Sequence, residues 1–124
     1  MIETGLSYTT STTVTTQNTA IAMGSGDLPV FATPSMVALM ENAAMLAISD
    51  KLGEHETTVG GHIEASHLAP SSIGAVIEAT ATVTEIKGKK ITFDIEVYQG
   101  NKLIGKASHV RVIVHRKTFL ENLR

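Results

Sequence analysis

Residues 33–48 read TPSMVALMENAAMLAI, and this stretch decides the fold. Thr33 suits an N-cap, where a hydroxyl accepts from a free backbone N–H. Pro34 then suits the first helical position, where its missing N–H costs nothing. The apolar pattern runs on to about Leu52, and Gly53 is a natural stop. The predicted helix is apolar on nearly every side. Such a helix cannot lie on a flat sheet with one face in water, so it has to be enclosed.

The flanking residues show what encloses it. Upstream, SYTTSTTVTTQ (7–17) is rich in Thr, with Tyr and Val, a composition that favours strand. MGSGDLP (23–29) reads as a connection. Downstream, TTVGGHIEASH (57–67) reads as a strand ending before Pro70. GAVIEATATVTEI (74–86) alternates, with Ala75, Ile77, Ala79, Ala81 and Val83 on one face. ITFDIEVYQ (91–99) alternates again, turning Ile91, Phe93, Ile95 and Val97 inward. KGKK (87–90) and QGNK (99–102) are hairpin turns, and LIGKASHVRVIVH (103–115) is the last long strand. RKTFLENLR (116–124) reads as a tail or a short helical turn. The order is strand, one long helix, then about four antiparallel strands. It predicts a single α+β domain over residues 1–124, with a curved antiparallel sheet wrapped around the helix.

Bulk composition narrows the function. The net charge is −2, aromatics make up 4%, and there is no basic run, so neither nucleic acid nor a membrane surface is an expected partner. Cysteine is absent, which excludes disulfides, thiolate metal sites and a Cys nucleophile. The first residues lack the basic and apolar pattern of a signal peptide, and no run reaches the roughly 18 apolar residues of a membrane span. A cytoplasmic protein is expected.

Three residues stand out as chemical. Glu41 is the only ionisable side chain between Pro34 and Ser49. Its neighbours at helical spacing, Val37, Ala38, Ala44 and Met45, offer no cation. It lies either on a narrow exposed stripe or in a functional pocket. Strict alternation over 58–67 places Val59, Gly61, Ile63, Ala65 and His67 on the helix-facing side, so His67 points toward the interior that Glu41 shares. A carboxylate near an imidazole orients it and stabilises its charged form. Thr33 has a sufficient role as a cap, yet it also stands at a helix N-terminus, where polarised oxygens bind. The motif H-x-E-x-x-H at 62–67 invites a metal, but alternation puts His62 and His67 on opposite faces, and no metal site is expected. Gly60 and Gly61 match no phosphate loop; they mark a bulge or a place where a ligand nears the backbone.

Together these residues resemble the hotdog-fold acyl-CoA thioesterases, and most closely the fluoroacetyl-CoA thioesterase-like family. The matching stretches are ATPSMVALMENAA and VGGHIEASHLAPSSIGAVIEATATVTEIKGKKITFDIEV, within roughly residues 30–115. The resemblance implies a hotdog fold and a catalytic set of Thr33, Glu41 and His67. It places Gly60 next to the thioester; Gly61, whose backbone N–H is a second candidate to polarise the carbonyl oxygen, and Phe31 are expected as further substrate contacts. It implies hydrolysis of a short-chain acyl-CoA to a carboxylate and CoA, with no cofactor beyond the CoA of the substrate. It also implies a homodimer, or a dimer of dimers, with sites near the protomer interface. MGSGDLPVF offers only Phe31 as an aromatic, so an aromatic lid ahead of the helix is not expected. The competing readings are a non-catalytic acyl-CoA-binding module and a hotdog hydratase or dehydratase. The second uses an Asp/His pair, and the helix carries no Asp before its end.

Overall fold

The computed structural model describes residues 1–123; Arg124, the last residue of the expected tail, lies outside them. Strand β1 (Ser7–Thr13) leads through the short helix α1 (Ala20–Met23) to the long helix α2 (Thr33–Ile48). Strands β2 (Glu56–His67), β3 (Val76–Lys87), β4 (Lys90–Gln99) and β5 (Lys102–His115) follow, and α3 (Arg116–Glu121) comes last. The strands form one antiparallel sheet in the order β1-β3-β4-β5-β2. α2 packs against all five. This is the expected helix wrapped by a curved sheet, and β1 and β2 are its two edges.

The alternating strands behave as their pattern requires. Ile77, Ala79, Ala81 and Val83 of β3 and Ile91, Phe93, Ile95 and Val97 of β4 are buried. They meet Met36, Leu39, Met40, Ala43, Ala44, Ala47 and Ile48 of α2 in one aliphatic core. The small residues of β3 face the helix, which lets its backbone approach the sheet closely. The tight β3–β4 turn places Gly88 at φ 61, a left-handed conformation that a side chain resists. No helix among the described residues is long and apolar enough to cross a membrane.

Four local expectations are corrected. β1 ends at Thr13 rather than at 17, because Asn18 folds the chain back: its Oδ1 accepts from Thr15 N at 2.8 Å and its Nδ2 donates to Thr13 O at 3.1 Å. α1 follows, capped by the Thr19 hydroxyl, which accepts from Ala22 N. The third correction is at the start of α2. Its N-cap is Ala32, with no side-chain hydrogen bond, so Thr33 is already helical. Phe31 N donates to Ser71 O and Ala32 N to Asn18 O, which holds the chain extended through Ala32. The Thr33 hydroxyl is thereby released from capping. At the other end α2 stops at Ile48 and tightens into a 3-10 turn over Ser49–Lys51. Gly53 opens the turn into β2, donating to Glu56 Oε1 at 2.8 Å.

β2 carries the feature that positions the site. Its pairing with β5 slips between Gly60 and His62, the signature of a β-bulge. Beyond the bulge, Ile63 packs on the core and His67 reaches Thr33, as alternation predicts. Before it the parity is reversed: Thr58 is buried and Gly60 faces Glu41. The single alternation expected over 58–67 is therefore wrong for its first half.

Candidate active site

Two polar clusters lie along α2. At its first turn, Thr33 Oγ1 is 2.8 Å from His67 Nδ1. His67 is delivered by the end of β2, where Leu68 N donates to Ile104 O and fixes the exit of the strand. The Phe31 ring, itself buried, stands edge-on to the imidazole at 6.4 Å. These residues line a cavity of about 360 Å³ together with Val30, Ala20 and Leu68. That size suits a small ligand group. Burial draws the His67 pKa below its ordinary value, against a weaker opposing pull from the Ala69 backbone. Its Nε2 is buried and unpartnered among the described residues. A neutral imidazole bonded to a hydroxyl at this distance has the geometry of a base, or of an acid, beside a polar reactant.

The second cluster surrounds Glu41, whose side chain is 40% exposed. The carboxylate does not reach His67. It lies over Gly60, so closely that a Cβ there would sit 2.7 Å from Oε2. Arg111 Nη1 is 3.8 Å away. Glu41 is thus neither fully enclosed nor merely solvated.

Thr33 and Glu41 are eight residues apart on a helix, about 12 Å along its axis. Gly60 and His67 are seven apart on a strand, roughly 20 Å. The structure therefore brings Thr33, His67 and Phe31 together, and separately brings Glu41 and Gly60 together. Gly61 takes neither place: it points to the outer face, near Val112 and Val110. Within one chain the two clusters cannot touch the same carbonyl carbon.

Two polar core residues were missed. His109 and Arg111 of β5 are buried and lie between β2 and Glu41. Their signal was present in the sequence. In ASHVRVIVH they share parity with Ala107 and Ile113, which face the core.

The sequence model of the fluoroacetyl-CoA-specific thioesterases matches residues 14–117. The fluoroacetyl-CoA thioesterase of Streptantibioticus cattleyicolor is 30% identical over 95 residues, covering 77% of this chain and 68% of that protein. A solved structure of the fluoroacetyl-CoA thioesterase FlK superposes with a TM-score of 0.91 at 26% identity, covering 98% of this chain and 94% of the other. A thioesterase superfamily member from Thermus thermophilus superposes with a TM-score of 0.90 at 28% identity, covering 98% and 90%. The long helix held against the curved sheet is thus the helix of a hotdog fold. The chain belongs to the fluoroacetyl-CoA-specific thioesterase family and is a thioesterase.

Proposed function

We propose that this chain hydrolyses short-chain acyl-CoA thioesters to the carboxylate and free CoA, at a site completed by two copies of the chain. The observation that carries the reading is the 2.8 Å Thr33–His67 pair on the wall of a cavity sized for a small acyl group. Support for the substrate comes from a relative: a variant of FlK has been crystallised with fluoroacetate and CoA. Phe31 is a fixed, buried wall of the cavity, which argues for a small acyl group and against an aromatic lid over it.

The separation of Glu41 from His67 argues for the homodimer. A two-fold axis beside the free edge of β2 sets the partner's Glu41 against Thr33 and His67, and makes two equivalent sites. In each, the carboxylate takes a proton from water while the water oxygen adds to the carbonyl carbon. Thr33 donates to Nδ1 of His67, leaving the ring proton on Nε2. The carbon–sulfur bond then breaks, and the sulfur takes that proton. The imidazole regains it from the one the carboxylate accepted. Direct attack by Glu41 reaches the same products through a mixed anhydride, which water then cleaves. An acyl adduct on Glu41, sought by mass spectrometry of quenched enzyme, separates the two routes.

The test is thiol release over a panel of acyl-CoAs. Glu41→Ala and His67→Ala each lower kcat by about 10²–10⁴-fold with the fold retained. Mixing the two variants restores about a quarter of wild-type turnover, since half of the dimers are mixed and each has one complete site of two. Absence of restoration refutes the shared site. Saturable CoA-ester binding without thiol release refutes hydrolysis and leaves a binding module.

A further inference from the structure

The Thr33–His67 contact joins a helix to a strand, so its length depends on how deeply the first turn of α2 sits over the sheet. Two features of β5, next to His67, set that depth. The first is a second bulge. β5 pairs Gly105 with Val97 and Leu103 with Tyr98, which leaves Ile104 as an extra residue. The carbonyl of Ile104 accepts from Leu68 N at 2.7 Å and from Ala69 N at 3.3 Å, and so ties down the chain just past His67.

The second feature is a missing side chain. Gly105 stands directly opposite His67 on β5, and opposed residues of an antiparallel pair project to the same face. A side chain at 105 would therefore stand beside the imidazole, under α2. Met36 takes that place. A Cβ built on Gly105 falls 2.5 Å from Met36 Sδ, 3.1 Å from its Cε and 3.3 Å from Ser66 O. A comfortable separation is about 3.5–4.0 Å, so the thioether already fills the space. Met36 lies one turn after Thr33 on the same side of the helix and is fully buried. Unlike Glu41 over Gly60, it cannot swing into solvent to make room. On the strand side the backbone carbonyl of Ser66 closes the gap. A side chain at 105 is accommodated only if the first turn of α2 lifts, and Thr33 lifts with it.

We propose that Met36 and Gly105 are a positioning pair: the thioether, seated on the bare backbone of Gly105, sets how closely the first turn of α2 approaches β2 and so holds Thr33 Oγ1 within hydrogen-bond reach of His67 Nδ1. This rests on the reading of Thr33 and His67 as partners in the reaction. Neither Met36 nor Gly105 is among the residues that line the cavity, so both act through Thr33 and His67 rather than on substrate.

The experiment measures thiol release from acetyl-CoA by Gly105→Ala, Met36→Val and the double variant, each alone and combined with Thr33→Val. Gly105→Ala is expected to lower kcat by about 10²-fold and to leave KM within about threefold, because orientation is lost but binding is not. Met36→Val empties the seat and lowers kcat about tenfold. The double variant returns to within about threefold of wild type, since valine removes about the volume that alanine adds. In the Thr33→Val background each change adds less than about twofold. A double variant no faster than Gly105→Ala refutes the seat. Equal losses in both backgrounds refute an action through Thr33. Wild-type kcat in Gly105→Ala, with Thr33→Val slow, refutes the positioning role alone. Wild-type kcat in Thr33→Val refutes the reading of the Thr33–His67 pair itself. Should Gly105→Ala fail to fold, Met36→Val carries the same cycle with Gly105 retained, and no loss of kcat there refutes the seat.

Discussion

Substituting Gly60 by Ala tests the geometry of the site with one added carbon. The new Cβ falls 2.7 Å from Glu41 Oε2, 3.5 Å from His109 Cε1 and 3.7 Å from Arg111 Nη1. The last two are ordinary contacts. Only the first is too short, by about 0.8 Å against a comfortable separation of about 3.5 Å. The group that must yield is the end of a long, 40% exposed side chain, so it swings aside while the strand stays in place. Gly60 has no positive φ, and Ala in its place removes freedom from the unfolded chain, a gain of about 0.4–1 kcal/mol. That gain offsets part of the cost of displacing the carboxylate from Arg111. The melting temperature should therefore barely move. Activity should not survive: a misplacement of about 1 Å at a reacting group costs about 10²-fold. Thiol release from acetyl-CoA and a thermal melt on the same sample give both numbers. A Gly60→Ala protein with wild-type kcat refutes the idea that Glu41 must lie against Gly60. A loss of stability like that of a core truncation shows instead that the backbone, not the carboxylate, gives way.

Other perturbations reach different parts of the structure. Thr33→Val removes the bond to His67 but no helix cap, so kcat in the thiol-release assay should fall by about 10²-fold while calorimetry shows little change; Thr33→Ser should regain most of the rate. Thr19→Ala, by contrast, removes a true cap from α1 and is expected to cost about 1 kcal/mol in a denaturant titration. His67 and His109 both have pKa values drawn down by burial, so the unfolded chain binds protons more readily than the folded one. Their contribution is fully present above the unfolded value of about 6.5 and is lost as pH falls from there toward the folded values. Melting temperatures across that range should drop on acidification, and less steeply in His67→Gln.

The residues whose period matches their element were legible in advance. β3 and β4 bury the faces that their alternation marks, and α2 buries one side against them; the expected full enclosure is not met, since Ala38 is exposed and Val37, Met45 and Leu46 are only half-buried. What failed depended on contacts between distant residues. Thr33 looks like a cap by composition, yet Ser71 and Asn18 hold the chain extended one residue further, through Ala32. A Thr-rich run looks like a strand until Asn18 folds it back. The pairing of Glu41 with His67 assumed one chain and one parity along β2. The bulge denies the parity, and the length of the helix denies the proximity. Arg111 and His109 depart from the usual pattern, in which a charged or polar residue in a strand lies on the wet face. Their partners, Thr58 and Glu41, lie on other elements and are adjacent to them only in the folded protein.

The slip at Gly60–His62 makes β2 behave like a reading frame. Thr58 and Gly60 are read in one phase, Ile63 and His67 in the other, and the bulge absorbs the extra residue between them so that both stay in step with α2. Substitution at Gly61 alters one side chain on the outer face. Deletion of it removes the extra residue, so Gly60 and His62 oppose Arg111 and Val110 in unbroken alternation, and Thr58 and His67 both stay on the α2 side. A residue inserted between His62 and Ile63, by contrast, inverts the phase of everything on one side of it and turns either Thr58 or His67 toward solvent. Relatives that keep both polar clusters on β2 therefore need either this count of residues with the bulge or one residue fewer without it.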